Sequence, residues 1–185
     1  MTYLYVKEQS VKRIILTLVL CLLPLAHVYA QTCQTASITA STPTSRFTDN
    51  GDGTLVDSVT ELMWKKCTEG QSYNATTFGC DGSAVNYTWQ GALQQTSAVN
   101  NGGGFAGHVD WRLPNIKELN SIVERQCVDP VINLDIFPAT PSSFFWSASP
   151  SAGDTGAWFV DFYNGFDSID IKSNEYGVRL VRGGQ

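Results

Sequence analysis

The stretch Asp110-Trp-Arg-Leu-Pro-Asn-Ile-Lys-Glu-Leu119 marks a change from extended chain to helix, and the rest of the sequence is arranged around it. Large aromatic side chains are usually mostly buried, so we expect Trp111 to fill the core where the chain enters the helix. Arg112 would then pair internally with an acid such as Asp110 or Glu118. In the alternative interpretation, Trp111 is a platform on which a sugar stacks. The packing interpretation is favoured.

Two helices are predicted. One follows Pro114, a residue suited to a helix entry. The other spans Trp89–Val99, with Thr88 as its expected N-cap and an Asn-Asn-Gly sequence as its stop. Apolar residues of the helix after Pro114 recur at spacings of three and four, as one face of a helix requires: Ile116, Leu119, Ile122 and Val123.

Short extended segments flank this helical middle. Arg46–Thr48 and Thr54–Val56 surround Asn-Gly and Asp-Gly steps that tolerate positive φ, which predicts a β-hairpin. Strands around a helical middle predict an α+β domain. The further extended segments, rich in aromatic and β-branched residues, are 62–64, 144–146, 157–162, 168–171 and 177–182, with a hairpin turn at Asn164-Gly165.

The first 30 residues have the pattern of a secretory signal peptide. Two basic residues precede an apolar run over residues 14–23, and small residues favour cleavage after Ala30. The run is short for a membrane anchor, which is the alternative. We therefore expect a signal peptide over 1–30, a Ser/Thr-rich leader over 31–45, a single domain over 46–185, and no membrane span after cleavage. The expected location is secreted, extracellular or in a bacterial cell envelope (periplasm or outer surface).

The whole chain carries 12 basic and 17 acidic side chains, and removal of the signal peptide changes its net charge from −5 to −7. Because proteins bind phosphate chiefly through Lys and Arg, nucleic acid is not an expected partner. An even number of cysteines in an exported chain indicates disulfides, here with three alternative connectivities. Cys67 and Cys80 flank a turn-rich segment, so we pair them with each other and Cys33 with Cys127.

Residues 49–54 read Asp-Asn-Gly-Asp-Gly-Thr, and their alternating oxygens superficially suit calcium. A hairpin turn explains every residue of this loop, so a turn is favoured and calcium is the alternative. Zinc is not expected, because no CxxC pair occurs and His108 is the one histidine after residue 30. We predict no cofactor and no metal site.

Several phrases together resemble the DUF1566 family, which is also named for the C-terminal domain of a Legionella collagen-like adhesin. The resemblance covers about residues 46–184. It implies a C-type-lectin-like domain close to the formylglycine-generating-enzyme branch, which fits the two helices and late strands read above. The predicted fold is therefore an α+β, C-type-lectin-like single domain with two helices, short antiparallel strands and two disulfides. The phrases are Arg46-Phe-Thr-Asp-Asn-Gly-Asp-Gly-Thr54, Leu62-Met-Trp-Lys65, Asp110 to Leu119 as quoted above, Phe145-Trp-Ser-Ala-Ser149, Ala157-Trp-Phe-Val-Asp-Phe162 and Val178-Arg-Leu-Val-Arg-Gly183.

The resemblance also implies a surface or secreted binding protein, since the adhesin's domain is associated with sulfated glycosaminoglycans. Some related lectin-fold domains are variable ligand-binding proteins of diversity-generating retroelements. This chain has no Gly-X-Y collagen tract, so trimerisation through such a tract is not implied. Its net charge of −7 argues against strong heparin binding unless the following basic residues converge in space: Lys65, Lys66, Arg112, Lys117, Arg125, Arg179 and Arg182.

Catalysis is not expected. His108 lies in a Gly-rich stretch that predicts a solvent-facing loop, and no Gly-x-Ser-x-Gly nucleophile elbow occurs. The formylglycine-generating enzymes of the wider fold use late cysteines, and this chain has none after Cys127. All four cysteines after residue 30 are expected to be paired, which leaves no thiolate nucleophile.

Residues 144–176 are dense in aromatic side chains interleaved with short polar ones, a composition that recognition surfaces favour. Because side chains alternate between the two faces of a strand, residues 157–162 form two sets on opposite faces, and one set is expected to be core. A plain hairpin with incidental aromatics is the alternative. The predicted ligand-binding residues are Trp146, Tyr163, Asn164, Phe166, Asp167, Asp170 and Asn174.

These observations favour a non-catalytic, adhesin-like module that recognises a glycan or protein ligand at a cell surface. One alternative is a structural subunit of an extracellular, pilus or envelope assembly, in which the aromatic surface joins subunits into a homo-oligomer or a larger complex. The other alternative is a variable ligand-binding protein of a diversity-generating retroelement.

Overall fold

A computed structural model describes residues 30–153 and 155–183 of the 185-residue chain; the predicted signal peptide lies outside the described residues except for Ala30. The described part contains four small antiparallel sheets, two α-helices and one 3-10 helix, Thr44–Arg46. In chain order the elements are β1 (Thr32–Cys33), β2 (Phe47–Asp49), β3 (Thr54–Asp57), β4 (Met63–Lys65), β5 (Ser72–Asn74), β6 (Gly79–Asp81), α1 (Trp89–Asn101), α2 (Ile116–Ser121), β7 (Cys127–Val128), β8 (Phe144–Pro150), β9 (Gly156–Asp161), β10 (Asp167–Ile171) and β11 (Val181–Arg182).

The larger sheet has the strand order β11-β4-β3-β2. The predicted hairpin is confirmed as β2 and β3, and the third extended segment is β4. In the hairpin turn, Asp49 Oδ1 accepts a hydrogen bond from the Gly51 amide at 2.9 Å, and Asp52 Oδ1 accepts one from the Thr54 amide at 2.9 Å. Each Asp side chain thus accepts a hydrogen bond from the backbone amide two residues later, which is the pattern of an Asx turn. The turn interpretation of residues 49–54 is therefore confirmed.

The second sheet has the strand order β10-β9-β8 and supplies the surface discussed below. The predicted turn at Asn164-Gly165 joins β9 to β10. Gly165 has φ of +80°, and an added Cβ would lie 3.2 Å from a methyl carbon of Val123, so both conformation and space favour glycine. The predicted strand over 177–182 is confirmed only at Val181–Arg182, because Gly177 instead forms an isolated parallel bridge to Phe145 of β8.

Both helices begin where the sequence predicts. Thr88 caps α1 through a bond from the Gly91 amide, and α1 ends two residues beyond the predicted Val99. Asn115 caps α2 in a reciprocal capping box with Glu118. This helix is shorter than its periodicity indicates. After α2 the Val123 amide donates to the Asn120 carbonyl, three residues earlier, at 3.2 Å, which is the spacing of a 3-10 turn. Val123 is buried although it lies outside the helix.

The core consists of two clusters, one on each side of the β8–β9–β10 sheet. The first contains Phe145, Val160 and Phe162, and α2 packs on that side. The second contains Trp146 and Phe159. The expectation that one set of residues 157–162 is core is confirmed, and the other set is covered as well, because both faces of the central strand β9 pack against core residues. Trp111 and Leu113 are buried in the second cluster, which confirms their packing role.

The leader is bound to the domain. The disulfides are Cys33–Cys127 and Cys67–Cys80, as predicted, and β1 pairs with β7 beside the first of them. Glu124, only 3% exposed, accepts hydrogen bonds from the Thr42 amide and hydroxyl, both at 2.8 Å. An α+β domain with two helices, short antiparallel strands and two disulfides is thus confirmed, while its likeness to C-type lectins stays a prediction.

Candidate functional site

An open pocket of about 350 Å³ lies where β8 begins and β9 ends. Two aromatic side chains line it: Phe144 is 38% exposed and Tyr163 is 55% exposed. The other lining residues are Ser142, Ser143 and Asp161. Aromatic walls with a few polar groups between them are the usual composition of small-ligand sites. We call this site the Phe144–Tyr163 pocket.

Backbone pairing fixes the positions of these side chains. Phe144 lies directly opposite Asp161 in the β8–β9 ladder, and the Phe162 amide donates to the Ser143 carbonyl at 2.9 Å. Asp161 is 8% exposed, and its Oδ1 accepts a hydrogen bond from the Tyr163 amide at 2.8 Å. The carboxylate therefore starts the turn that carries Tyr163 and also forms part of the pocket wall.

An aromatic cluster supports the pocket from below. The ring of Phe144 contacts those of Phe159 and Tyr176, each with a centroid distance of 5.0 Å. Tyr176 in turn lies 4.4 Å from Trp146. Edge-to-face and tilted contacts of this kind are stabilising and geometrically specific. The exposed ring of Phe144 thus packs on a base of buried aromatic rings.

Asp170 and Asn174 form a polar group on Tyr176. The Tyr176 hydroxyl and Asn174 Nδ2 both donate to Asp170 Oδ2, the latter at 2.9 Å. The hydrogen bond from Tyr176 lowers the pKa of Asp170, while burial and this bond to Asp170 raise the pKa of Tyr176 to about 12. Asp170 is therefore ionised and Tyr176 protonated at neutral pH. Together they fix the orientation of the ring that supports Phe144.

The predicted site residues fall into three groups. Trp146 is a correction: it is 0% exposed and its indole Nε1 donates to the Tyr87 carbonyl at 2.9 Å, so it lies in the core and cannot contact a ligand directly. Tyr163 lines the pocket. The neighbouring turn holds Asn164, whose Oδ1 accepts from the Phe166 amide at 2.9 Å, and Phe166, which is 59% exposed.

Of the remaining predicted residues, Asp167 and Asp170 lie on β10 and Asn174 follows it. Asp167 begins the strand opposite Val160, close to the turn, whereas Asp170 lies opposite Ala157, towards the other end. Because a strand rises about 3.3 Å per residue, the Tyr163 turn and the Asp170–Asn174 group are about 10 Å or more apart along the sheet. Tyr176 links them, since its hydroxyl donates to Asp170 and its ring contacts Phe144 of the pocket.

Four pocket residues were missed at the sequence level: Ser142, Ser143, Phe144 and Asp161. Phe144 and Asp161 belong to predicted strands, and no local signal places them opposite each other. The pairing register that joins them depends on contacts between distant segments. The dense aromatic composition of residues 144–176 was the available signal, and it indicated the region correctly.

Most of the basic residues that could have formed an anion site are occupied elsewhere. Lys65 pairs with Glu69 at 2.5 Å, Lys66 with Asp49 at 2.5 Å, and Arg182 with Asp110 at 2.7 Å. Arg112 forms a bidentate ion pair with Glu118, with both hydrogen bonds at 2.8 Å. Glu118 was one of the two acids predicted as its partner. Arg179 is fully buried, and burial lowers its pKa to about 9.

These observations define the class of protein: it is an α+β domain that is cross-linked by two disulfides and has an open aromatic pocket on one sheet. The chain belongs to the Lcl C-terminal domain family, whose family model matches residues 53–182. No curated protein matches the chain. The disulfides and the family are consistent with an extracellular location. Within residues 30–153 and 155–183, no helix is long and apolar enough to cross a membrane.

Proposed function

We propose that this protein is an exported, non-catalytic, adhesin-like module that binds a glycan at the Phe144–Tyr163 pocket. The observation that carries the proposal is the combination of two exposed aromatic rings, a largely buried carboxylate and two serine residues in one open pocket. A pyranose ring has an apolar face of C–H groups, which suits an aromatic ring, and hydroxyls at its edge, which suit Asp161 and the serines.

Contacts within the protein preorganise the side chains of the pocket for binding. Phe144 rests on the Phe159 and Tyr176 rings, and the Asp161–Tyr163 hydrogen bond holds the turn. A rigid site loses less conformational entropy on binding than a flexible one. This arrangement supports recognition by stacking, because stacking depends on a fixed ring plane.

The test is binding of oxidised residues 31–185 to a broad glycan array that includes sulfated glycosaminoglycans, with calcium and with chelator. We expect Tyr163→Ala to weaken binding by about tenfold or more, as aromatic contact residues do. Asp161→Asn should weaken binding while its amide oxygen keeps the turn bond. Val59→Ala is the matched control, since Val59 is 71% exposed on the β3–β4 turn. A blank array contradicts the glycan proposal and favours a protein ligand.

A second candidate function is that of a subunit in an extracellular assembly. It is supported by β10, an edge strand whose Ile169 and Ile171 side chains are 45% and 53% exposed. Exposed apolar edge strands are sites at which chains associate. Sedimentation over a range of concentrations tests this candidate. Concentration-dependent association that Ile169→Lys abolishes supports it, and a monomer at every concentration contradicts it.

A further inference from the structure

A second pocket, of about 410 Å³, adjoins the Phe144–Tyr163 pocket. Ser143 lines both pockets, so the two pockets adjoin at this residue, and we call them together the cleft. We call the second pocket the Asn86 pocket. It is lined by Gln71, Gly82, Ser83, Ala84, Asn86, Ala139, Pro141 and Ser143.

The 139–143 segment, which contributes to the lining of both pockets, is held by hydrogen bonds at Ala139 and Thr140. Gln71 Nε2 donates to the Ala139 carbonyl at 3.0 Å, and the Gln71 side-chain oxygen accepts from the Thr68 amide at 3.1 Å. The buried guanidinium of Arg179 donates to the Thr140 hydroxyl, and that hydroxyl donates to the Phe137 carbonyl at 2.7 Å. The cleft therefore has a defined shape and can select a ligand by length.

The chemistry of the cleft is neutral to acidic. The described lining of the Asn86 pocket consists of amide, hydroxyl and small apolar side chains, and the described lining of the Phe144–Tyr163 pocket has Asp161 as its one charged residue. No Lys or Arg lines either pocket in the part of the chain that the structure describes. A sulfate or carboxylate placed beside Asp161 would meet like charge without a compensating cation, which costs free energy.

The size of the cleft indicates a ligand with more than one unit. Sites for small ligands have volumes of roughly 300–1,000 Å³, and each of the two pockets alone is at the lower end of that range. A single ring stacked on Phe144 or Tyr163 would leave the Asn86 pocket to solvent. A linear chain that crosses Ser143 would place further rings against Asn86 and Ser83.

We propose that the ligand is an uncharged oligosaccharide of at least two units, with one unit stacked in the Phe144–Tyr163 pocket and the next hydrogen-bonded in the Asn86 pocket. This inference rests on the proposed glycan-binding function and adds to it the charge and the length of the ligand. It differs from the sulfated ligands that the family resemblance implies, because no Lys or Arg lines either pocket in the described residues.

The experiment measures affinity for malto-, cello-, manno- and chito-oligosaccharides of one, two, three and more units, and for heparin, at low and moderate salt. For the neutral series that binds best, we expect affinity to rise by about tenfold or more between one and three units and then to level off, with little salt dependence. Heparin should bind more weakly than that series at moderate salt.

Two variants assign the effect to the cleft. Asn86→Ala should abolish the gain with length, because Asn86 lines the pocket that holds the second unit. Asn101→Ala, at the exposed end of α1, is the matched control and should keep the gain.

The outcomes separate this inference from the proposed function. Binding of single sugars without a gain in length, or tighter and strongly salt-dependent binding of heparin, overturns the inference and leaves glycan binding intact. A gain with length that Asn86→Ala does not reduce also overturns it. Failure of every glycan to bind, or binding of an extended peptide alone, contradicts the proposed function and this inference together.

Discussion

Replacing Glu124 with Gln tests how the leader is held to the domain. Its two carboxylate oxygens accept five hydrogen bonds within the described structure: three reach Oε1, from the Ser41 amide and hydroxyl and the Gln126 amide, at 2.9–3.2 Å, and two reach Oε2, from the Thr42 amide and hydroxyl, both at 2.8 Å. Glu124 is only 3% exposed, so water cannot replace these bonds in the folded state.

The cost of Glu124→Gln follows from this arrangement. The amide oxygen can take the Oε1 position and keep three bonds, each without its charge assistance. The amide nitrogen then faces the Thr42 amide, which loses its acceptor, whereas the Thr42 hydroxyl can rotate and accept. An unsatisfied buried amide costs about 1–3 kcal/mol, and charged hydrogen bonds are about twice as strong as neutral ones. We expect unfolding to become easier by about 3 kcal/mol, which lowers Tm by about 6–12 °C in a domain of this size.

The pH dependence provides an independent check. Burial alone would raise the pKa of Glu124, but the hydrogen bonds from Gln126, Ser41 and Thr42 lower it on balance below 4.5. A carboxyl group with a depressed folded-state pKa stabilises the protein fully above its unfolded pKa, and this contribution is lost as the pH falls through the folded value. The difference between wild type and Glu124→Gln should therefore be largest at neutral pH and become smaller in acid.

The assay is urea denaturation of the oxidised protein, followed by circular dichroism at neutral pH and at several acidic pH values. Glu175→Gln is the matched control, because it makes the same chemical change at an exposed site and should alter stability by less than about 0.5 kcal/mol. A loss at Glu124 no larger than that of the control, or a loss that persists unchanged in acid, would refute the reasoning.

Three further predictions concern single features of the fold. Arg112→Lys should lower the free energy of unfolding by about 1 kcal/mol in urea denaturation, because lysine cannot form the bidentate ion pair with Glu118; an unchanged midpoint would argue that the pair contributes nothing. Removing the Cys33–Cys127 disulfide, which closes a separation of 94 residues, should cost about 2–4 kcal/mol in the same assay, and no loss would contradict its stabilising role. Gly165→Ala should cost about 1–2 kcal/mol because of its φ of +80°, and a calorimetric Tm equal to wild type would contradict this strain.

The elements with local causes were predictable. Thr88 and Asn115 provide side-chain caps, and Asn-Gly and Asp-Gly steps supply positive φ, so helix starts and hairpin turns followed from a few adjacent residues. The boundaries of α2 and β11 were less predictable, because they depend on which later segments cover them. Val123 keeps the apolar spacing of the helix but belongs to the chain beyond it.

The sequence predicted the region that contains the site, but not which residues of that region form the pocket. The density of aromatic residues indicated 144–176, yet it could not distinguish Trp146, fully buried, from Phe144, half-exposed two residues earlier on the same strand. Both rings lie on the same face of β8, and only Phe144 reaches its open end. Asp161 joins the pocket through the β8–β9 register, and Ser143 joins two pockets through a segment that Arg179 fixes from a distant part of the chain.

The central claim is that a ligand occupies the Phe144–Tyr163 pocket. The most direct measurement is backbone amide NMR of oxidised residues 31–185, titrated with the array glycan that gives the strongest signal. The account predicts that the largest shift changes fall on Ser142–Phe144 and Asp161–Tyr163, and that Tyr163→Ala removes them. Changes centred on the β2–β3 turn or on the leader, with the 142–144 and 161–163 amides unaffected, would contradict it.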